Sequence, residues 1–330
     1  MTGSRFIRAL VCAIFLAIVQ GCAATSLPPP ISISASTVRP IATAPYEINE
    51  EGWYIVEARI NGRGPYRLIM DTGATITAIF EKARQPDIFY ETGAPPKRIL
   101  GVNGTRVAEP VFVGDISIGD AALRNHVGVV IPDWKGDTEN QPDGLLGLDY
   151  LKQFITVVDP ITKTVAFYHH DNPPTDIIAQ LGRMPMSVSK FNQTTTGLYT
   201  IVMNINGRRI PTIFDLGANY TVMNYNAFRR LTSGIYIDKP GPIANTGTRI
   251  KGAFGDETIA RALTTGPIRA DRISWGERTL IIYNAAIFRE LAVHTKPYGL
   301  FGADFLRDRQ FVINFTENSL YISGPIIAAR

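Results

Sequence analysis

Two short stretches of this chain set an acid and a glycine at the end of an apolar run. The first is Leu68-Ile69-Met70-Asp71-Thr72-Gly73-Ala74. The second is Pro211-Thr212-Ile213-Phe214-Asp215-Leu216-Gly217-Ala218. Each apolar run reads as a buried strand, and the acid with its glycine as the turn that leaves it. A carboxylate in such a place is costly to bury unless it is hydrogen-bonded or has work to do. Two carboxylates held close cannot both ionise, so they share a proton, one as base and the other as acid. That pairing can activate water and protonate a carbonyl oxygen without a metal or a covalent nucleophile.

The elements around the two acids repeat in the same order. Gly52-Trp53-Tyr54 to Ile60-Asn61-Gly62 resembles Gly197-Leu198-Tyr199 to Ile205-Asn206-Gly207. Asp71-Thr72-Gly73-Ala74 matches Asp215-Leu216-Gly217-Ala218, and Gly101-Val102-Asn103-Gly104 is paired with Gly252-Ala253-Phe254-Gly255. Ile116-Ser117-Ile118-Gly119 is matched to Ile273-Ser274-Trp275-Gly276. Gly144-Leu145-Leu146-Gly147-Leu148-Asp149 matches Gly299-Leu300-Phe301-Gly302-Ala303-Asp304. The offset grows from 144 residues at the acids to 155 at the last block, so the second copy carries the longer middle. Such a duplication would bring Asp71 and Asp215 face to face.

Between the motifs the chain is mainly β. Tyr54 to Ile60, Arg67 to Met70, Val111 to Ile118, Val127 to Ile131 and Phe154 to Val158 read as strands. Short helices are expected after Asp149, after Asp304 and over Tyr225 to Leu231. The 330 residues, 45% hydrophobic and 19% charged, suffice for two domains with real cores. The net charge of +4 includes Arg5 and Arg8 of the leader, and no basic block is interleaved with aromatics. Nucleic acid is therefore not an expected partner.

The set of motifs resembles the aspartic peptidases of the pepsin and retropepsin group, over about residues 47 to 330. The resemblance implies a bilobal acid-protease fold, two pseudo-twofold-related β-barrel-like lobes with a cleft between them. It implies an aspartic endopeptidase that hydrolyses extended protein segments, with Asp71 and Asp215 as the catalytic pair. Thr72, Gly73, Ala74, Gly217 and Ala218 would support the pair, and Gly101, Val102, Asn103 and Gly104 would form a flap. In the family a Thr or Ser in each loop hydrogen-bonds across to the other. Thr72 can do so and Leu216 cannot, so half of that lock is missing. Ala74 and Ala218 lack the hydroxyl that in some members supports the charged carboxylate, which moves expected activity toward neutral pH. Sequence does not say which acid is base and which is acid. The alternative is a non-catalytic peptide- or protein-binding lipoprotein on the same fold.

The domain plan follows. Residues 1–21 read as a signal peptide, with Arg5 and Arg8 before an apolar run too short to span a membrane. Val19-Gln20-Gly21-Cys22 resembles a bacterial lipobox, which implies lipid attachment at Cys22. Residues 22–45 read as a Pro/Ser/Thr-rich tether, 46–172 as the N-terminal lobe, 173–185 as a linker and 186–330 as the C-terminal lobe. The expected product is an exported monomer, anchored to a bacterial membrane and facing the periplasm, the outer membrane being the first expectation. Cys12 falls in the leader, so the mature chain can form no internal disulfide. His126, His169, His170 and His294 are not spaced for a metal, and no cofactor is expected. Asp149 and Asp304 read as acids at helix N-termini, and Trp53, Trp134 and Trp275 as core or cleft-wall residues.

Overall fold

A computed structural model describes residues 36–101, 104–133, 140–191, 194–233, 248–251 and 257–326. The chain divides into Met1–Ile31, which lies outside the described residues, and Ser32–Arg330, which carries both copies of the repeat. Cys22 and the leader therefore lie outside the described residues. No helix among the described residues is long and apolar enough to cross a membrane.

The first half contains β1 (Ala42–Ile48), β2 (Tyr54–Ile60), β3 (Arg63–Met70), β4 (Ala78–Phe80), β5 (Tyr90–Glu91) and β6 (Lys97–Gly101). It continues with β7 (Gly104–Ile118), β8 (Ala121–Ile131), β9 (Gly144–Leu146), α1 (Leu148–Leu151), β10 (Ile155–Asp159) and β11 (Thr164–Tyr168). After α2 (Thr175–Ile178) the second half has β12 (Gly182–Pro185), β13 (Ser187–Phe191), β14 (Thr194–Ile205), β15 (Arg208–Phe214), β16 (Val222–Met223) and α3 (Tyr225–Thr232). It ends with β17 (Thr248–Lys251), β18 (Glu257–Ala270), β19 (Ile273–Ile282), α4 (Ala286–Glu290), β20 (Gly299–Phe301), β21 (Phe311–Asn314) and β22 (Ser319–Ile322). The fold is mainly β, as the sequence implies, and helices are short. The best capped is α3, where Asn224 accepts the amide of Ala227 at 2.8 Å.

The same ring of strands is built twice. In the first half β2, β3, β9, β4, β8 and β7 pair in turn, and Ile60 opposite Ile116 closes the ring back to β2. In the second, β14, β15, β20, β16, β19 and β18 do the same, closed by Ile205 opposite Ile268. Alternation places the side chains: along β2, Glu57 and Arg59 are exposed while Ala58 and Ile60 are buried.

One sheet joins the halves through β10 and β21, antiparallel, with Thr156 opposite Ile313, Val157 opposite Val312 and Val158 opposite Phe311. Val157 and Val312 are themselves equivalent positions, 155 residues apart, so the pseudo-twofold axis passes through that pair. Both strands are buried on both faces: Ile155, Val157 and Val312 lie in one cluster, Val158, Phe311 and Ile313 in the main core.

The registers adjust three sequence readings. First, Ala42 to Pro45 were expected in the tether but belong to β1, paired with β11, while Tyr46 to Ile48 turn to pair with β2. Second, the expected linker holds α2 and β12, and β12 pairs with β22 as β1 does with β11. Each half thus begins on its own strand, at Ala42 and at Gly182. Proline content marked both stretches as connections, yet Pro45 and Pro185 each lie within a strand's pairing register. Third, Ile116 to Gly119 is not the counterpart of Ile273 to Gly276. Ile116 corresponds to Ile268, and Ile273 to Ala121, across the same hairpin turn. An alternating strand looks alike on either side of a turn, so pattern alone misassigned it.

Candidate active site

Each acid ends a strand threaded beside a second strand from later in the same half. Leu68, Ile69 and Met70 run parallel to Gly144, Leu145 and Leu146, and Thr212, Ile213 and Phe214 parallel to Gly299, Leu300 and Phe301. The Asp71 amide donates to Leu146 O and the Asp215 amide to Phe301 O, both at 3.0 Å. Leu148 N–H reaches Ala74 O and Ala303 N–H reaches Ala218 O, both at 2.8 Å. The two loops are therefore clamped at both ends by equivalent bonds.

The two carboxyls meet at the centre. A Cβ placed on Gly73 would lie 2.5 Å from Asp215 Cγ, and one on Gly217 would lie 2.4 Å from Asp71 Cγ. Only glycine permits that mutual approach. Asp71 is 7% and Asp215 5% exposed. Asp71 Oδ1 accepts the amides of Gly73 (2.8 Å) and Ala74 (3.1 Å), and Asp215 Oδ1 accepts that of Ala218 at 3.0 Å. The Gly217 amide faces both acids, and the carboxyls hydrogen-bond each other.

Burial raises the Asp71 pKa above the ordinary carboxylate value, against the pull of the Gly73 amide, the Asp215 hydrogen bond and the Ala74 amide. Burial raises Asp215 much further, and the neighbouring Asp71 charge adds to it. The pair titrates as one unit. Two loop amides on Asp71 Oδ1 against one on Asp215 Oδ1 favour the charge on Asp71, an asymmetry that the sequence left open.

Of the cross-loop lock, the half carried by Thr72 is present. Its hydroxyl donates to Phe214 O at 3.0 Å and accepts the Leu216 amide at 2.9 Å. The Leu216 side chain is fully buried in the main core, packing beneath its loop where a hydroxyl was wanting. Ala74 and Ala218 act through backbone groups.

Two supporting threonines escaped the sequence reading. Thr77 Oγ1 donates to Asp149 Oδ1 (2.7 Å) and accepts the Gly147 amide (3.1 Å). Thr221 Oγ1 donates to Asp304 Oδ1 (2.8 Å) and accepts the Gly302 amide (3.1 Å). Each threonine lies six residues after its acid, a spacing visible in the repeat. Asp149 and Asp304 do sit in first helical turns, but their work is to hold these threonines. Burial raises Asp304 to about 6. His126 Nε2 lies 2.8 Å from Asp149 Oδ2.

The proposed flap is a hairpin of β6 on β7, with Gly101 opposite Gly104; Val102 and Asn103 lie outside the described residues. β6 lies against α4 of the second half. The second hairpin pairs Lys251 with Glu257, and Gly252 to Gly255 lie outside the described residues. Trp53 and Trp275 are buried, as expected, while Trp134 lies outside the described residues. Among the described residues no group of three or more His, Cys, Asp or Glu could hold a metal.

Residues 56–150 match the aspartyl protease family. The matched stretch runs from β2 through the Asp71 loop to α1, within the first half. Comparison with curated proteins finds no match. Among solved structures, the chain is similar to conglutin gamma, a unique basic 7S globulin from lupine seeds, with a TM-score of 0.52 and 11% identity. The alignment covers 86% of this chain and 95% of that one, and shows a pepsin-like fold spanning both halves.

Proposed function

We propose that this protein is an aspartic endopeptidase that hydrolyses peptide bonds in extended protein segments. The observation that carries the reading is the reciprocal placement of Asp71 and Asp215, each carboxyl over the other loop's glycine and both buried. Asp71, holding the charge, takes a proton from water as the oxygen attacks the scissile carbonyl carbon. Asp215 gives its proton to the carbonyl oxygen, so charge does not accumulate on the tetrahedral intermediate. As the C–N bond breaks, Asp71, now protonated, gives its proton to the leaving nitrogen, and a gem-diol hydroxyl returns a proton to Asp215 as the carbonyl re-forms. The β6–β7 hairpin, reaching toward α4, is the element suited to cover a bound segment and exclude water.

The test is cleavage of an unstructured protein mixture by the purified full chain between pH 4 and 8, beside Asp71→Asn and Asp215→Asn. Cleavage is expected nearer neutral than acid pH, and lost in both folded variants. Cleavage surviving Asp215→Asn would overturn the two-acid mechanism. A folded wild-type chain that binds extended peptides without cutting them would favour the binding-protein alternative.

Export and a lipid on Cys22, with the body facing the periplasm as a monomer, are further proposals, carried by the leader sequence. Incorporation of labelled fatty acid in cells, absent from Cys22→Ala, would support the anchor; incorporation that survives Cys22→Ala would refute it.

A further inference from the structure

The two acid loops are anchored differently, and the difference centres on a residue outside both. Trp53 is 2% exposed, and its indole N–H donates to Gly217 O at 2.8 Å. That carbonyl and the Ala218 N–H belong to one peptide unit, which is planar. The Ala218 N–H end of the same plane holds Asp215 Oδ1 at 3.0 Å. One peptide is therefore gripped at its oxygen by Trp53 and at its nitrogen by the acid.

Among the described residues the first loop has no equivalent arrangement. The counterpart of Trp53 is Leu198, 145 residues on, just as Ile60 corresponds to Ile205. Leucine has no donor. The first loop contains the cross-loop hydroxyl of Thr72, whose bonds reach Phe214 O and Leu216 N–H; the second, held also by Trp53, contains Leu216. The second loop is thus held from the first half at three backbone groups, while Leu216 sends no hydroxyl bond back. Trp53 also packs in the cluster of Ile55, Ile69, Ala108 and Leu145, against which Ile99 of the β6–β7 hairpin rests. The cluster that holds Trp53 thus also supports the base of the hairpin.

We infer that Trp53 is a positioning residue for Asp215, fixing and polarising the Gly217–Ala218 peptide whose N–H holds that acid. A hydrogen bond to a carbonyl strengthens the donation of its own peptide N–H. The Ala218 amide lowers the Asp215 pKa against its burial. With Trp53 in place, Asp215 holds its proton loosely enough to give it up.

The inference rests on the peptidase reading for its effect on rate, but its test does not need turnover. The full chain carrying 13Cγ-aspartate is titrated by NMR, with Asp71 and Asp215 assigned from their Asn variants. In Trp53→Phe the upper midpoint of the pair should rise by about half to one pH unit, the worth of one weakened hydrogen bond. If the wild type cleaves peptides, kcat should fall about tenfold with KM within about twofold, the pattern of an interaction made at the reacting groups. Should Trp53→Phe fold poorly, benzothienylalanine at position 53 keeps the bicyclic shape and removes only the N–H. An unchanged midpoint in a folded variant overturns the inference, whether or not the wild type cleaves. A wild type that titrates as a coupled pair but does not cleave counts against the peptidase reading alone.

Discussion

Thr72→Val tests the claim that one hydroxyl carries the whole cross-loop lock. The hydroxyl makes two bonds, to Phe214 O at 3.0 Å and from Leu216 N–H at 2.9 Å. Phe214 and Leu216 are fully buried and Thr72 is 1% exposed, so water cannot replace the lost partner. Valine has nearly the same shape, which keeps the cavity contribution small. Each orphaned buried group costs about 1–3 kcal/mol, giving about 3 kcal/mol for the pair. In a body of this size that lowers the Tm by about 6 °C, at about 2 °C per kcal/mol. Because the loss also frees the two acid loops from each other, kcat should drop at least about tenfold. The assay is urea and thermal unfolding by circular dichroism, with peptide cleavage measured alongside. Thr156→Val is the matched control: Thr156 is fully buried on β10, and its hydroxyl has no hydrogen-bond partner among the described residues. There the same substitution should be neutral or stabilising by about 1 kcal/mol. If the two variants unfold alike, the reasoning that assigns the lock to Thr72 fails.

Gly217→Ala should abolish cleavage while leaving a folded chain of lower stability. Its methyl would lie 2.4 Å from Asp71 Cγ, which forces the loops apart; wild-type kcat in this variant would contradict the close packing of the pair. Asp304→Asn should make stability less pH-dependent. The folded pKa of Asp304 is raised from 3.8 to about 6, so its contribution is fully present below about pH 4 and is lost as pH rises through about 6. The variant keeps an acceptor for Thr221. It should gain on the wild type as pH rises from about 4 to about 7, by about 3 kcal/mol for a shift of about two units. A stability difference that does not change with pH would count against it.

What the sequence determined by itself is the repeat and the pair of acids at its centre. Apolar runs ending in Asp71 and Asp215, the later glycine pairs, and their common order specify two copies of one β architecture. They do so because strand threading needs apolar residues and close loop approach needs glycine, and both leave local marks. The helical turns at Asp149 and Asp304, the helix from Tyr225 and the hairpin between Gly101 and Gly104 were legible too, while α2 and α4 were not. The half-boundaries were not. Proline-containing segments at Ala42 and Gly182 become strands because β11 and β22 offer free edges, and a free edge is a property of the assembled sheet. The alignment of Ile116 failed likewise, since register is decided by partner strands. Tertiary structure alone decided that the two acids are buried against each other, each carboxyl over the glycine of the other half's loop. It also decided that Trp53 serves Asp215, a hydrogen bond between residues 164 positions apart for which neither segment carries a local signal. Thr77 and Thr221 stand between these cases. Their spacing from the acids is written in the repeat, but their purpose becomes visible only when Asp149 and Asp304 are folded beneath them.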